Sequence, residues 1–262
     1  MSTHLGWIIV IGLSACVAVR AADSPTLAER LCQSYAQVET ISCQVRKTTV
    51  FDGKRAQVLS RVYYQKPARL HVENVSPFQR RILADGTNFY FHITGRATGY
   101  SVALDQLEGE WLIMQQSVPA SPMEHLVRLK GVAETNLPAS ADYPVRCGYV
   151  AQSNVFVVLS CDESNRLARI EFFKAPDQKL KTAEYEYSHF VSAGTSCWLA
   201  ILHKGSLTMG ANSIQETRRF DNLEINRPVA PGLFEASAFF KQVEFSSDFK
   251  KAFGDEPPPA SK

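Results

Sequence analysis

From Ile41 onward the apolar residues of this sequence return at every second position. Turn residues cut the runs at roughly eight to twelve residues. Period two belongs to strands, because successive side chains of a pleated chain point to opposite faces. The runs occupy 41–51, 56–65, 68–75, 79–84, 88–93, 145–152, 155–161, 167–174, 182–191, 198–204 and 213–223. This predicts about eleven strands. Asp52-Gly53 and Asp85-Gly86 supply hairpin turns, since glycine accepts the positive φ that such turns need. Lys66-Pro67, Ser76-Pro77, Ala175-Pro176-Asp177 and Ala193-Gly194 break the chain elsewhere, and 94–99 reads as a polar loop. Short connections without crossover helices predict one antiparallel meander.

Helical spacing interrupts this pattern at two places. Ser24-Pro25 reads as a helix start, with proline at the first helical position, and Leu27, Leu31, Tyr35 and Val38 follow on one face. In the middle, 106–130 contains Trp111, Leu112, Ile113 and Met114, then Pro119 and Pro122. After the start signal Ser121-Pro122, Met123, Leu126, Val127 and Lys130 fall at helical offsets, and Gly131 is a C-cap. A short helix is expected within 245–253, and a disordered tail over 254–262, which holds Pro257, Pro258 and Pro259. No internal repeat or linker divides the 262 residues. One domain is expected over 22–245, followed by a C-terminal tail over 246–262 that is partly disordered.

Leu5 to Val19 is apolar or small, too short for a comfortable membrane span and suited to a signal-peptide core. Two processing readings stay open. Val19-Arg20-Ala21 fits cleavage before Ala22, which assigns 1–21 to a signal peptide. Leu13-Ser14-Ala15-Cys16 resembles a lipobox, which would make Cys16 a lipidated, membrane-anchored N-terminus; otherwise Cys16 is a small apolar residue of the signal core. Both readings export the chain. An oxidising compartment permits disulfides among Cys32, Cys43, Cys147, Cys161 and Cys197. Cys147 and Cys161 flank a hairpin, and Cys32 and Cys43 flank a helix-to-strand turn. Buried free thiols are the alternative.

Twenty-eight basic against twenty-six acidic residues leave a net charge of +2, which argues against a nucleic-acid binder. The pairs Arg80-Arg81 and Arg218-Arg219 read as solvated strand surface. No His-Glu-x-x-His, Gly-x-Ser-x-Gly, phosphate loop or dinucleotide fingerprint occurs. His71 and His92 could lie on neighbouring strands, but two histidines without a third ligand make a poor metal site. Cys197-Trp198 has no placed base. No enzyme activity, catalytic residue, metal or cofactor is therefore expected.

The apolar alternation puts Val58, Val62 and Tyr64, then Leu70 and Val72, then Phe89, Phe91 and Ile93 on one face. Met123, Leu126 and Val127 of the central helix would close over it as a lid. By pattern alone such a face is a packed core. With a lid it becomes an apolar cavity for acyl chains, where each buried CH₂ is worth about 0.8 kcal/mol.

The succession Ile41-Ser42-Cys43-Gln44-Val45, Tyr64-Gln65-Lys66-Pro67-Ala68-Arg69-Leu70, Ser76-Pro77 and Ile82-Leu83-Ala84-Asp85-Gly86-Thr87-Asn88-Phe89-Tyr90-Phe91 resembles the LolA-like family of periplasmic lipoprotein carriers. Phe220-Asp221-Asn222-Leu223-Glu224-Ile225-Asn226 and Leu233-Phe234 resemble that family's closing strand and Phe-containing end. The resemblance implies a mainly β fold, an unclosed half-barrel capped by an N-terminal helix and short central lid helices. It also implies a Gram-negative periplasmic setting, a cavity for lipid or lipoprotein acyl chains, and a role in outer-membrane lipoprotein sorting or lipid transport. The partners it implies are inner- or outer-membrane sorting components. Carriers of this family latch the lid with an arginine on the strand after the Lys-Pro break. By spacing His71 stands there, with Arg69 one same-face step away. Alternation sets both opposite Leu70 and Val72, so a latch at these positions conflicts with a cavity at those. The other reading is a cell-envelope binding or sensor module of the same fold, anchored through Cys16 if that residue is lipidated.

Overall fold

The structure is a computed structural model that describes residues 24–77, 79–107, 118–120, 122–151, 155–210 and 212–254. Expectations for Cys16 and the signal segment, for Trp111 to Met114, for Ser121 and for 255–262 lie outside the described residues.

Helix α1 (Leu27–Tyr35) starts later than Pro25 suggested. Its cap is Thr26, whose hydroxyl accepts from the Glu29 amide at 3.3 Å while the Glu29 carboxylate accepts from the Thr26 amide at 2.9 Å. That reciprocal box satisfies two orphan donors, which Pro25 at the first turn would not do. The strands among the described residues are β1 (Thr40–Phe51), β2 (Lys54–Gln65), β3 (Arg69–Ser76), β4 (Arg80–Asp85), β5 (Asn88–Ile93), β6 (Thr98–Ala103), β7 (Glu134–Asn136), β8 (Val145–Val150), β9 (Phe156–Cys161), β10 (Leu167–Phe173), β11 (Lys181–Ser192), β12 (Trp198–Met209), β13 (Asn212–Ile225) and β14 (Glu244–Ser246). Helix α2 (Met123–Leu126) continues as a 3₁₀ turn over Val127–Leu129. A 3₁₀ turn over Pro231–Phe234 precedes α3 (Ala236–Phe239), and α4 (Phe249–Phe253) follows β14.

All fourteen strands form one sheet in the order β14-β6-β5-β4-β3-β2-β1-β13-β12-β11-β10-β9-β8-β7. The end strands are not paired with each other, so the sheet is unclosed. The count exceeds the expected eleven for identifiable reasons. Strand β6 includes residues read as part of a polar loop, and β7 and β14, at three residues each, are too short to display a period. Strand β14 pairs parallel with β6, the one departure from antiparallel order among these ladders. The centre is the β1–β13 pair, with Val45 opposite Phe220 on one side and Ser60 of β2 on the other. The two sequence halves therefore meet in the middle of the sheet.

Alternation assigns two faces. The inner face carries the main core: Ile41, Cys43, Val45, Val62, Leu70, Val72, Leu159, Ile170 and Phe220, with α1 packed on it through Leu27, Leu31 and Tyr35. The outer face of β3–β6 is covered by the segment from Pro231 to Phe245. Phe239 lies 4.6 Å from the His71 ring, and Phe240 and Phe245 lie 5.8 and 5.2 Å from Tyr90. Gly99 of β6 makes this cover fit, because a Cβ there would stand 2.6 Å from the Phe245 ring. Gly99→Val is expected to cost about 1–3 kcal/mol by overpacking. Urea unfolding measures it, and a change within 0.5 kcal/mol would mean that Phe245 moves aside freely.

Candidate functional site

The inner face is layered. At its base lie the apolar side chains of β1, β2, β3 and β13. Val62, Tyr64, Leu70, Val72 and Phe89 of the expected cavity face are buried there, whereas Val58, Phe91 and Ile93 are half-buried. The expected lid residues join the same core: Leu126 is fully buried, and Met123 and Val127 pack against it half-buried. The structure therefore brings Val62, Tyr64, Leu70 and Val72 into one core with Met123, Leu126 and Val127 of α2, whereas Val58, Phe89, Phe91 and Ile93 lie outside that cluster.

Beneath α2 the inner face turns polar. Register places Tyr187 opposite His203 and His203 opposite Arg218. One residue pair nearer the hairpin ends, Tyr185 faces Gly205 and Gly205 faces Glu216. Arg218 and Lys47 both pair with the Glu216 carboxylate. From above, α2 brings in Glu124, 5% exposed, and His125, whose Nε2 lies 3.2 Å from a Glu124 oxygen. The His125 ring stacks 4.7 Å from Tyr185, and His203 sits between Tyr187 at 4.9 Å and Phe220 at 4.8 Å. His203 Nε2 donates to the Ala200 carbonyl at 3.1 Å. A cavity of about 20 Å³ remains between these groups, room for a single water.

Burial holds both histidines neutral. It pushes His125 down to about 3, helped by the positive fields of Arg128 and Arg218. His203 is pushed to about 3 by burial and by Arg218, against its bond to Ala200. Helix α2 thus packs on a desolvated polar layer rather than on hydrocarbon alone. Sequence reading missed Glu124, His203 and Arg218 in this role. Only His203 carried a local signal, as a polar residue in the apolar run Trp198 to His203; Glu124 lies on α2, and Arg218 stands beside Glu216 on a largely polar β13.

The expected latch pair stands on the outer face. His71 lies under Phe239, accepts from Arg81 Nε at 3.0 Å, and faces no part of α2. Burial and the Arg81 charge lower its pKa to about 4. Arg69 lines an open cleft of about 500 Å³ with Asp85, Thr87, Phe234 and Glu235. The two basic pairs are not uniformly solvated surface. Neighbours on a strand point to opposite faces, so Arg218 is drawn into the polar layer while Arg219 stays out. Arg81 is likewise enclosed by Phe239, with its guanidinium 4.4 Å from the ring. A groove of about 600 Å³ opens between α1 and the ends of β8, β10 and β12, lined by Arg30, Leu31, Val145, Arg166, Leu167 and Trp198. All five cysteines beyond Cys16 are free and buried. Burial raises the pKa of Cys43 and Cys161 to about 12, which makes them poor nucleophiles. Among the described residues no group of three or more His, Cys, Asp or Glu is placed to hold a metal.

No family model and no curated protein matches the sequence. Solved structures do match. A LolA superfamily protein from Nitrosomonas europaea aligns with a TM-score of 0.51 at 12% identity, over 80% of this chain and 96% of that one. A putative outer membrane lipoprotein-sorting protein domain from Vibrio parahaemolyticus gives 0.53 at 8%, over 82% and 100%. A DUF1329 family protein from Desulfovibrio piger gives 0.56 at 8%, over 81% and 95%. With an open, almost wholly antiparallel sheet, α1 on its inner face and a short helix between its two halves in the sequence, the chain has the LolA-like fold.

Proposed function

We propose that the protein is an exported carrier that holds lipid or lipoprotein acyl chains against the inner face, with α2 as its lid, in a Gram-negative periplasm. One observation carries this reading: a lid of only seven residues packs into the same inner-face core that holds Val62, Tyr64, Leu70 and Val72. A four-residue helix cannot sustain itself, so α2 stays in place by its contacts alone. The layer below it is polar and rehydrates readily when the lid lifts, and an acyl chain then replaces Leu126 and Val127 on the wall. We read it as a binding protein rather than an enzyme, passing its load between membrane-bound sorting components.

The test is equilibrium binding of a fluorescent C16 fatty acid and of a triacylated lipopeptide. Micromolar or tighter binding is expected, weakened at least ten-fold by Val127→Asp and unchanged by Lys179→Ala, whose side chain is solvated. No binding of either ligand overturns the reading. The groove beside α1 favours a second one, an envelope binding module for another ligand, since its volume is of the size usual for small-molecule sites. In that case Trp198→Ala, and not Val127→Asp, would abolish capture of ligand from an envelope extract.

A further inference from the structure

The C-terminal segment crosses the edge of the sheet. Phe239, Phe240 and Phe245 cover the outer face, β14 adds to β6 at the edge, and the chain then turns onto the inner face as α4. There Phe253 lies edge-on to Phe91 at 5.2 Å, while Phe249 lies 5.5 Å from Tyr100 and 6.3 Å from Phe91. Register confirms the face: Phe91 pairs with Ile82 and Tyr100, and Ile82 pairs with Val72 of the buried wall. Helix α4 therefore rests on one of the residues assigned to the acyl wall.

We propose that α4 is an internal plug, an occupant of the β5–β6 end of the acyl site that the cargo must displace. The inference rests on the carrier reading above. What holds α4 is sparse. Arg96 donates to the Phe253 carbonyl at 3.0 Å, Thr98 Oγ1 to the Ala252 carbonyl at 2.7 Å, and Asp248 caps the first turn by accepting from Lys250 N at 2.9 Å. Five residues do not form a helix unaided. Only Ala252 and Phe253 of α4 are buried, and Phe249 is left 55% exposed although it is aromatic. These are the marks of a locally unstable element. Removing α4 bares Phe91 and Tyr100 as a continuation of the wall formed by Phe89 and Val72. Cargo chemistry follows: an apolar tail long enough to run from the lid to the β5–β6 edge.

A plug seated nine-tenths of the time weakens apparent binding about ten-fold, because affinity scales with the open fraction. Binding of the fluorescent C16 fatty acid is compared among the full chain, a chain ending at Ser247, and the full-length F249S/F253S variant. At least ten-fold tighter binding is expected for both altered proteins. In the unaltered chain, saturating fatty acid is expected to speed hydrogen exchange at the amides of 250–254, a readout that does not require the variants to fold. Equal affinities with unchanged exchange overturn the plug and leave the carrier reading standing. Weaker binding without α4 makes it part of the wall and also overturns the plug. Absence of binding by all three proteins overturns the carrier reading, and the plug with it.

Discussion

Between pH 6 and pH 5 the folded protein is expected to lose about 3–4 kcal/mol of stability, a large share of the 5–15 kcal/mol typical of a domain. Three histidines produce the loss. Burial is the first cause in each. His71 is lowered from 6.5 to about 4, with Arg81 adding to burial and Glu73 and the Leu233 backbone opposing it. His125 and His203 are lowered to about 3 beside Arg218. Each therefore binds a proton in the unfolded chain at a pH where the folded chain refuses it. Stability from these groups is fully present above about 6.5, falls as pH drops, and stops falling only below the folded values. The slope is about 1.4 kcal/mol per pH unit for each histidine. Carboxylates held low by partners, such as Glu73 and Glu134, act in the same direction but below about 4.5, so the window from 6 to 5 belongs to the histidines. Urea unfolding at pH 7, 6 and 5 measures the slope. His203→Gln keeps a donor for Ala200 and should remove about a third of it. A flat profile over this range would mean that both the polar layer and the His71 site under Phe239 are hydrated in solution.

Acid should act first at the lid. His125 and His203 face each other across the α2–sheet contact with Arg218 close to both, so either proton adds a second positive charge to an enclosed space. Faster hydrogen exchange over 123–129 ahead of global unfolding is the corresponding local signature.

The sheet was largely legible because one face of it is buried. Where Ile41, Cys43 and Val45 alternate with Ser42 and Gln44, period two is unambiguous, and boundaries agree within about two residues for β1 to β5. Legibility failed where pairing rather than burial defines the strand. The β12 strand runs to Met209 because Ser206 and Thr208 pair with Gln215 and Ser213 of β13, whereas the expected run ended at Lys204. The same cause hid β6, β7 and β14. The core residues Val62, Leu70, Val72 and Leu126 were legible as an apolar set, whereas the polar layer was not. Tyr185, His203 and Arg218 meet only when the consecutive strands β11, β12 and β13 come into register, and the pattern of a single strand does not encode that meeting. The conflict over His71 was legible in full: alternation alone set it opposite Leu70, and it lies there.

Tyr149→Ala is expected to cost about 3–5 kcal/mol as a buried aromatic deletion, and Tyr149→Phe about 1–3 kcal/mol for one lost hydroxyl. Tyr149 is fully buried on β8. Its hydroxyl accepts from the Ala28 amide at 3.0 Å and donates to Glu134 Oε2 at 2.6 Å, and the Leu27 amide donates to the same oxygen. Two orphan amides at the start of α1 are thus satisfied by strand residues from the far end of the sheet, with a carboxylate at the positive end of the helix. Burial alone would push Glu134 up, but these two bonds, with the Arg30 charge and a bond from Cys147, together outweigh it, and its pKa is lowered. Tyr149→Phe leaves the Ala28 amide buried without its acceptor and takes one stabilising donor from Glu134. Its cost should therefore shrink as pH falls through the carboxylate range, because the wild-type advantage of an ionised Glu134 disappears there. A cost that is the same at pH 7 and pH 4 would place the hydroxyl's contribution on the Ala28 amide alone. A cost below 0.5 kcal/mol at pH 7 would mean that α1 is held by its apolar face, Leu27, Leu31 and Tyr35, and that the polar clamp only sets its position.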